Sequence, residues 1–278
     1  MTFQKVDLHT HSTASDGVFA PSEVVALARR HRVEALALTD HDTTQGLAEA
    51  QAAGEAAGIV VLPGIEMATV QPNGKTIDLL GYCFDPNHTE LQEKLTILRT
   101  ARRERAAQMV AKLNALGLPV DLERVYALAG RGSVARPHVA AALVEAGHVA
   151  TLQQAFDLYI GNDGPAYVPH HELPIEDAIA LLHRAGGVAV LAHPIRVPDF
   201  EARIGAWVAA GLDGLEVYYP DHGPLFTMTT RVIARRYDLI ATGGSDFHRP
   251  EDGEIKLGSQ PVPGECVAQL QARAARYR

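Results

Sequence analysis

Short apolar runs recur at seven places along the chain, roughly 4–10, 34–40, 59–66, 76–84, 187–192, 212–219 and 239–243, and each reads as a strand. Between several of them the hydrophobic period becomes helical. The segment 21–30 opens on Pro21, suited to a helix start, and 43–57 is rich in alanine, the strongest helix former. This alternation predicts a largely parallel sheet or barrel. It stops between about 88 and 175, where 91–116 reads as one long amphipathic helix, followed by shorter helical segments and a loop over 161–169. The expected organisation is an α/β barrel built from 1–90 and 175–278. An α-helical insertion, 91–174, would cover its active site.

The polar residues that close the apolar runs change the picture. His9 and His11 end the first, Asp40, His41 and Asp42 the second, Glu66 the third, His193 the fifth, and Asp246 and His248 follow the seventh. Imidazoles and carboxylates at the C-terminal ends of successive strands are where barrel enzymes build their sites. Residues two apart on a strand face the same way, so His9 with His11, and Asp246 with His248, can each point a pair at one centre. Asp16 lies in the loop after the first pair. One such histidine is usually structural, Asp-His-Asp could be a turn, and Gly-Gly-Ser-Asp could cap a helix. Five histidines together with Asp16, Glu66 and Asp246, arriving from separate strand ends, point instead to a polynuclear metal centre. A nitrogen and oxygen set without thiolates suits manganese, iron or zinc.

The order His-x-His, Ser-Asp-Gly, Thr-Asp-His-Asp, Gly-Ile-Glu, Ala-His-Pro and Gly-Ser-Asp-Phe-His resembles the PHP (polymerase and histidinol phosphatase) family of amidohydrolase-like enzymes. Arg136-Pro137-His138, followed by the segment 159–169, resembles its subgroup that dephosphorylates nucleoside 3′,5′-bisphosphates. The resemblance implies a distorted (β/α)7 barrel and three neighbouring metal positions. One would use His9, His11, Glu66 and Asp246, and a second Asp16, His41 and His248. The third would use Glu66 as a bridge with His193. There the family supplies a histidine from a strand that reads Ile77-Asp78-Leu79-Leu80-Gly81-Tyr82 in this chain, so Asp78 takes its place. The implied cofactor is Mn²⁺, two or three ions per chain, with Zn²⁺ or Fe²⁺ as alternatives.

Clustered divalent cations acidify water and neutralise charge on a transferring group, which suits a phosphorus centre. No serine or cysteine motif offers a competing nucleophile. Arg136 precedes a proline, so it belongs to an extended or turn segment rather than mid-helix, and its planar fork matches phosphate oxygens. Arg99, Arg102 and Arg103 are neighbours on the long helix and are expected to grip a second phosphate, with Arg105 facing elsewhere. A solvated helix face is the alternative for that cluster. Asp40 and His222 are further substrate-contact candidates, and His193 and His138 are candidates for proton transfer alongside Arg136. His31, His88, His148, His170, His171 and His183 are read as surface or packing residues, and Trp207 as core.

The expected activity is metal-dependent removal of the 3′-phosphate from nucleoside 3′,5′-bisphosphates. A 5′→3′ exoribonuclease acting on short 5′-phosphorylated RNA and a histidinol phosphatase are the alternatives on the same centre. From other classes come a non-catalytic, polymerase-associated metal-binding module and a carbon–nitrogen amidohydrolase. The former would normally have eroded ligands, and the latter leaves the arginines unexplained. The expected partner is a small nucleotide, with short RNA ends as a further substrate. Neither a membrane nor an obligate protein partner is implied.

Bulk properties narrow this only slightly. The chain has 278 residues, with 47% hydrophobic and 21% charged content, an ordinary globular composition. A net charge of −8 argues against a nucleic-acid-coating surface, though not against one anionic substrate. Two cysteines in no metal or redox spacing, and no signal-like N-terminal segment, lead to the expectation of a cytoplasmic protein.

Overall fold

Seven strands lie side by side in chain order: β1 (Val6–Thr10), β2 (Ala35–Leu38), β3 (Val60–Val70), β4 (Thr76–Tyr82), β5 (Val188–Leu191), β6 (Gly214–Tyr218) and β7 (Ile240–Gly243). The structure, a computed structural model, describes residues 3–71, 76–130, 132–169, 173–250 and 253–278. A parallel bridge between Thr10 and Phe247, with the His11 N–H donating to the Phe247 carbonyl at 2.9 Å, brings the chain after β7 back against β1 and nearly closes the barrel. Gly244 permits that approach, since a Cβ there would stand 2.4 Å from the His9 nitrogen.

The strands are not all parallel. β4 runs antiparallel to both β3 and β5, so the barrel is largely parallel, as expected, with one reversed strand. β3 also continues to Val70, beyond the expected end at 66, so only residues 71–75 separate it from β4. A connection that short joins antiparallel neighbours, whereas a parallel crossover needs a dozen residues or more. The reversal has a functional consequence. It puts the beginning of β4, including Asp78, at the barrel end where the other strands finish.

Helices α1 (Pro21–Arg30), α2 (Leu47–Ala57), α7 (Ile175–Arg184), α8 (Phe200–Ala209), α9 (Pro224–Arg236) and α10 (Glu265–Ala274) accompany the barrel. Residues 43–46, expected as helix, form a loop before α2. The chain there is tied to β3, with the Asp42 N–H donating to the Glu66 carbonyl at 2.9 Å. Trp207 is buried in the main core. Cys83 and Cys266 are buried and unbridged. Among the described residues no helix is long and apolar enough to cross a membrane.

Between β4 and α7 come α3 (Thr89–Ala115), α4 (Leu122–Ala129), α5 (Arg136–Glu145) and α6 (Leu152–Ala155), the last continuing into a π-helical turn, Phe156–Ile160. α3 belongs to two cores. Leu91, Leu95 and Leu98 pack with the barrel. Ala106, Met109, Val110 and Leu113 pack with α4, α5 and the π turn in a separate cluster. Arg102 and Arg105 sit at the seam, on the same inward face as these apolar residues. The insertion is also pinned to the loop after β1. The Ser133 N–H donates to the Ala14 carbonyl at 2.8 Å, and a Cβ at Gly132 would meet the Thr13 carbonyl at 2.6 Å.

Candidate active site

The strand-end residues converge on three adjoining groups whose donor atoms lie within 4.8 Å of one another: His11, Asp16, His41 and His248; His9, His11, Glu66 and Asp246; and Glu66, Asp78 and His193. In the middle group the Nε2 atoms of His9 and His11 each stand 3.2 Å from Glu66 Oε2, and 3.3 and 3.2 Å from Asp246 Oδ1. His248 Nε2 is 3.3 Å from Asp16 Oδ1, and His41 Nε2 is 3.9 Å from Asp16 Oδ2. In the third, His193 Nε2 lies 2.9 Å from Glu66 Oε1 and 3.8 Å from Asp78 Oδ2. His11, assigned by resemblance to one group, also faces the group of Asp16.

These spacings fit metal ions. Donor atoms around a tetrahedral cation with bonds of about 2.0 Å are about 3.3 Å apart. Both ring nitrogens of His11 and the Nδ1 of His41 are buried without a hydrogen-bond partner, a costly state that coordination would relieve. The donors are imidazoles and carboxylates only, suited to a hard or borderline cation.

The electrostatics agree. Burial would raise the Asp246 carboxyl, but the His9 and His248 imidazoles hold it well below the usual range. Burial would likewise lower His11, but the Asp246 and Glu66 carboxylates beside it lift it to about 10. His41 is pushed down to about 4 by burial and stays neutral, the form that ligates. Asp78 is raised to about 6 by burial and then by the Glu66 charge. Without cations the centre holds protons among crowded carboxylates, and cation binding would expel them.

Backbone strain is present here as well. His193 (φ 26°), Asp42 (φ 50°) and Asp246 (φ 53°) all occupy the left-handed region, rare for residues with side chains. Surrounding hydrogen bonds hold them. The Asp42 carboxylate accepts the Ala68 N–H at 3.1 Å and pairs with Arg102 at 2.5 Å, tying β3 to α3. Asp7, behind the strand ends, accepts from the Ser245 N–H and hydroxyl and from the Gly258 N–H.

Above the carboxylates opens a cavity of about 300 Å³, with Asp16, His41, Glu66, Asp78, His193, Asp246 and His248 among its lining side chains. His9 and His11 lie buried beneath. The opposite wall carries Arg102, Arg105 and Arg136, with Phe156, Asn162 and Tyr167 beside them and Arg196 at another edge. Arg136, the first residue of α5, donates to Asn162 Oδ1 at 2.9 Å and lies 5.5 Å from the Phe156 ring centre. Arg105 donates to the Val168 carbonyl at 2.7 Å. Burial, then the neighbouring charges of Arg136 and Arg102, lowers its guanidinium to about 9, so the wall is a crowded cationic surface that an anion would relieve.

Several expected contacts fall elsewhere. Arg105, expected to face away, lines the cavity, whereas Arg99 donates to Thr96 on its own helix and Arg103 stacks 3.8 Å over Tyr126. Helix phase explains this: 102 and 105 continue the buried face of Leu91, Leu95 and Leu98, and 103 points outward. Asp40 accepts from the Ser12 N–H and the hydroxyls of Ser12 and Ser15, all at 2.7 Å, so it shapes the loop after β1, and it does not line the cavity. His138 accepts the Ala135 N–H at 3.0 Å and caps α5. His222 lies 2.9 Å from the Val217 carbonyl through Nδ1. Neither His138 nor His222 lines the cavity. His183 pairs with Asp213 at 2.8 Å, while His170 and His171 lie outside the described residues.

Sequence reasoning missed Glu216, Tyr219 and Arg196. Glu216 is fully buried at hydrogen-bond distance from His9, and Tyr219 donates to Asp246 Oδ2 at 2.7 Å. A lone carboxylate inside the apolar stretch Gly214–Tyr218 was the available signal, because a buried charge must have partners.

Comparison with known proteins agrees with this arrangement. The PHP domain model matches residues 7–153. The 3′,5′-nucleoside bisphosphate phosphatase of Chromobacterium violaceum is 36% identical, over 98% of both chains. The 5′-3′ exoribonuclease of Haemophilus influenzae is 38% identical, over 92% of this chain and 93% of its own. Among solved structures, a candidate metal-dependent phosphoesterase from Bifidobacterium adolescentis superposes with a TM-score of 0.89 at 33% identity, covering 97% of this chain and 96% of its own. Barrel, strand-end donors and relatives concur, and the chain belongs to the PHP family.

Proposed function

We propose that this PHP protein is a metal-dependent phosphomonoesterase that removes the 3′-phosphate from nucleoside 3′,5′-bisphosphates and leaves the 5′-nucleotide. One observation carries the reading: a single cavity joins a metal-ligating floor to a wall of three arginines. A substrate with two phosphates suits such a cavity. The 3′-phosphate would lie over the floor, and Arg102, Arg105 and Arg136 would hold the 5′-phosphate through charge-assisted hydrogen bonds. Phe156 and Tyr167 flank the space between.

Divalent cations, Mn²⁺ in this reading, would be held by His9, His11, Asp16, His41, Glu66, Asp78, His193, Asp246 and His248, and would supply an acidified water and charge neutralisation. The chain's own residues do the rest. Glu66, with its oxygens turned to different groups, keeps the middle and third positions in one fixed relation, and His11 faces both the middle group and that of Asp16. The Asp42–Arg102 pair holds one guanidinium still as negative charge gathers, so no reorganisation is needed then.

A second reading, 5′→3′ hydrolysis of short 5′-phosphorylated RNA, has its own support. Arg196 lies on the cavity wall, half-exposed and 3.0 Å from Asp221, where the next phosphate of a longer substrate could pass. The Haemophilus relative bears that activity in its name.

The test is phosphate release by the Mn²⁺-loaded protein from adenosine 3′,5′-bisphosphate, with 5′-AMP, 3′-AMP, histidinol phosphate and a 5′-phosphorylated oligoribonucleotide as competitors. Preference for the bisphosphate, with 5′-AMP as product, supports the proposal. Faster turnover of histidinol phosphate, or equal turnover of 3′-AMP, would sink the two-phosphate model.

A further inference from the structure

Glu216 lies beneath the floor of the cavity and is fully buried in the middle of β6. Its Oε1 stands 2.9 Å from His9 Nδ1, and its Oε2 accepts the backbone N–H of His193 at 2.7 Å. The two contacts reach different groups, because His9 belongs to the middle one and His193 to the third. We propose that Glu216 is the positioning residue that makes these two metal positions a single unit, setting the proton of one imidazole and the backbone of the other. This holds whichever phosphoester is the substrate.

The chemistry of each contact is specific. A neutral imidazole carries one proton, and the nitrogen without it is the one that binds a cation. With Glu216 taking the Nδ1–H of His9, the proton is fixed there and Nε2 presents a bare lone pair towards Glu66 Oε2 and Asp246 Oδ1. Carboxylates behind ligating histidines commonly act in this way. The second contact is to the peptide, and His193 needs it. With φ 26° and ψ 63° its backbone is in a conformation that residues with side chains avoid. That conformation turns the ring back so that Nε2 reaches Glu66 Oε1. Glu216 therefore stabilises a strained peptide whose geometry aims a ligand.

A glutamine cannot do both. Two donors face this position, His9 Nδ1–H and the His193 N–H, while a glutamine side chain offers one acceptor oxygen and one NH₂. Either the His193 peptide loses its acceptor, or His9 accepts the NH₂ at Nδ1 and carries its proton on Nε2, where it blocks coordination. In both cases metal binding fails before the fold does.

The experiment uses the full chain, wild type and Glu216→Gln, stripped with a chelator and titrated with Mn²⁺ and with Zn²⁺. Metal per chain and affinity are measured by calorimetry and elemental analysis, alongside the melting temperature of the stripped protein. The variant is expected to melt close to wild type when stripped, and to bind one cation fewer or about tenfold to 100-fold more weakly. Wild-type stoichiometry and affinity in a folded Glu216→Gln protein would overturn the proposal. A readout on wild type alone guards against a variant that does not fold. Long-range ¹H–¹⁵N spectra of ¹⁵N-histidine-labelled, Zn²⁺-loaded protein should show His9 protonated at Nδ1. His9 protonated at Nε2 would exclude the proposed role.

Discussion

The floor and the wall of the cavity solve opposite problems. The floor gathers imidazoles and carboxylates that need cations to be stable together, and its residues come from the ends of the barrel strands. The wall gathers guanidiniums whose charges crowd one another, and its residues come from α3, at the seam of the two cores, and from α5 in the insertion's own cluster. The floor is held by strands, which carry His9, Glu66 and Asp78 and lead directly into most of the other donors, and by buried partners such as Asp7 and Glu216. The wall depends on how the insertion docks, through Asp42–Arg102 and the Ser133–Ala14 contact. Under the proposed function, the chemistry would fall to the strand ends and substrate choice to the insertion.

The strongest way to break this contrast is at the floor's shared carboxylate. Glu66→Gln should lower kcat by about 10³-fold or more on every phosphoester tested, since several kcal/mol of charge stabilisation depend on the cations. A chelator should do the same to wild type, with recovery on adding Mn²⁺. Retention of a tenth of the activity by Glu66→Gln would separate catalysis from the three groups.

Wall substitutions should instead discriminate between substrates. Arg136→Ala removes a charged contact worth about 1.5–3 kcal/mol, so kcat/KM for the bisphosphate should fall about 10–150-fold. Turnover of a simple aryl phosphate, lacking the second phosphate, should change less than threefold. Arg102→Ala should be harsher for stability. It leaves the Asp42 carboxylate buried and unpaired, at a cost of about 3 kcal/mol that thermal or denaturant unfolding would register.

Asp78 sharpens the comparison through pH. Its carboxyl is raised to about 6 in the folded chain, above its unfolded value near 3.8. The folded metal-free protein therefore holds that proton more tightly, and stability falls as pH rises from about 4 to about 6. The penalty is absent below that window and complete above it. Asp78→Asn should raise the melting temperature of chelator-treated protein at pH 8 by roughly 2–3 °C and leave it unchanged at pH 4. The size is modest because the side chain is 27% exposed and water screens its charge. An increase at pH 4 as well would point to packing. The smallest effect belongs to Arg103→Ala, whose side chain stacks on Tyr126 away from the cavity. Its kcat/KM on the bisphosphate should stay within twofold of wild type, and a larger loss would mean that the wall extends farther than the three arginines.

Much of the floor was legible in the chain because strand geometry is local. A histidine two residues from another on a strand must share its face, and a polar residue that ends a buried strand lies at the barrel's rim. The wall was less legible. Four arginines within seven residues do not announce which face is buried, although the spacing of Leu91, Leu95, Leu98 and Met109 already placed 102 and 105 inward. The expectation for Arg105 failed because the arginines were weighed against one another and not against the leucines. β4 was read as a strand, but its direction depended on β3 running to Val70, and Thr-Val after an apolar run gives no sign of where a strand stops.

The sequence by itself determined the strands, the helical interruption and the identity of the donors at the strand ends, since each follows from periodicity within a few residues. Only the tertiary structure decided how those donors are aimed. Glu216 meets His9 across 207 positions of chain, Arg102 meets Asp42 across 60, and Asp78 reaches the floor because β4 runs backwards. Such pairings depend on barrel closure and helix docking, which no local pattern encodes.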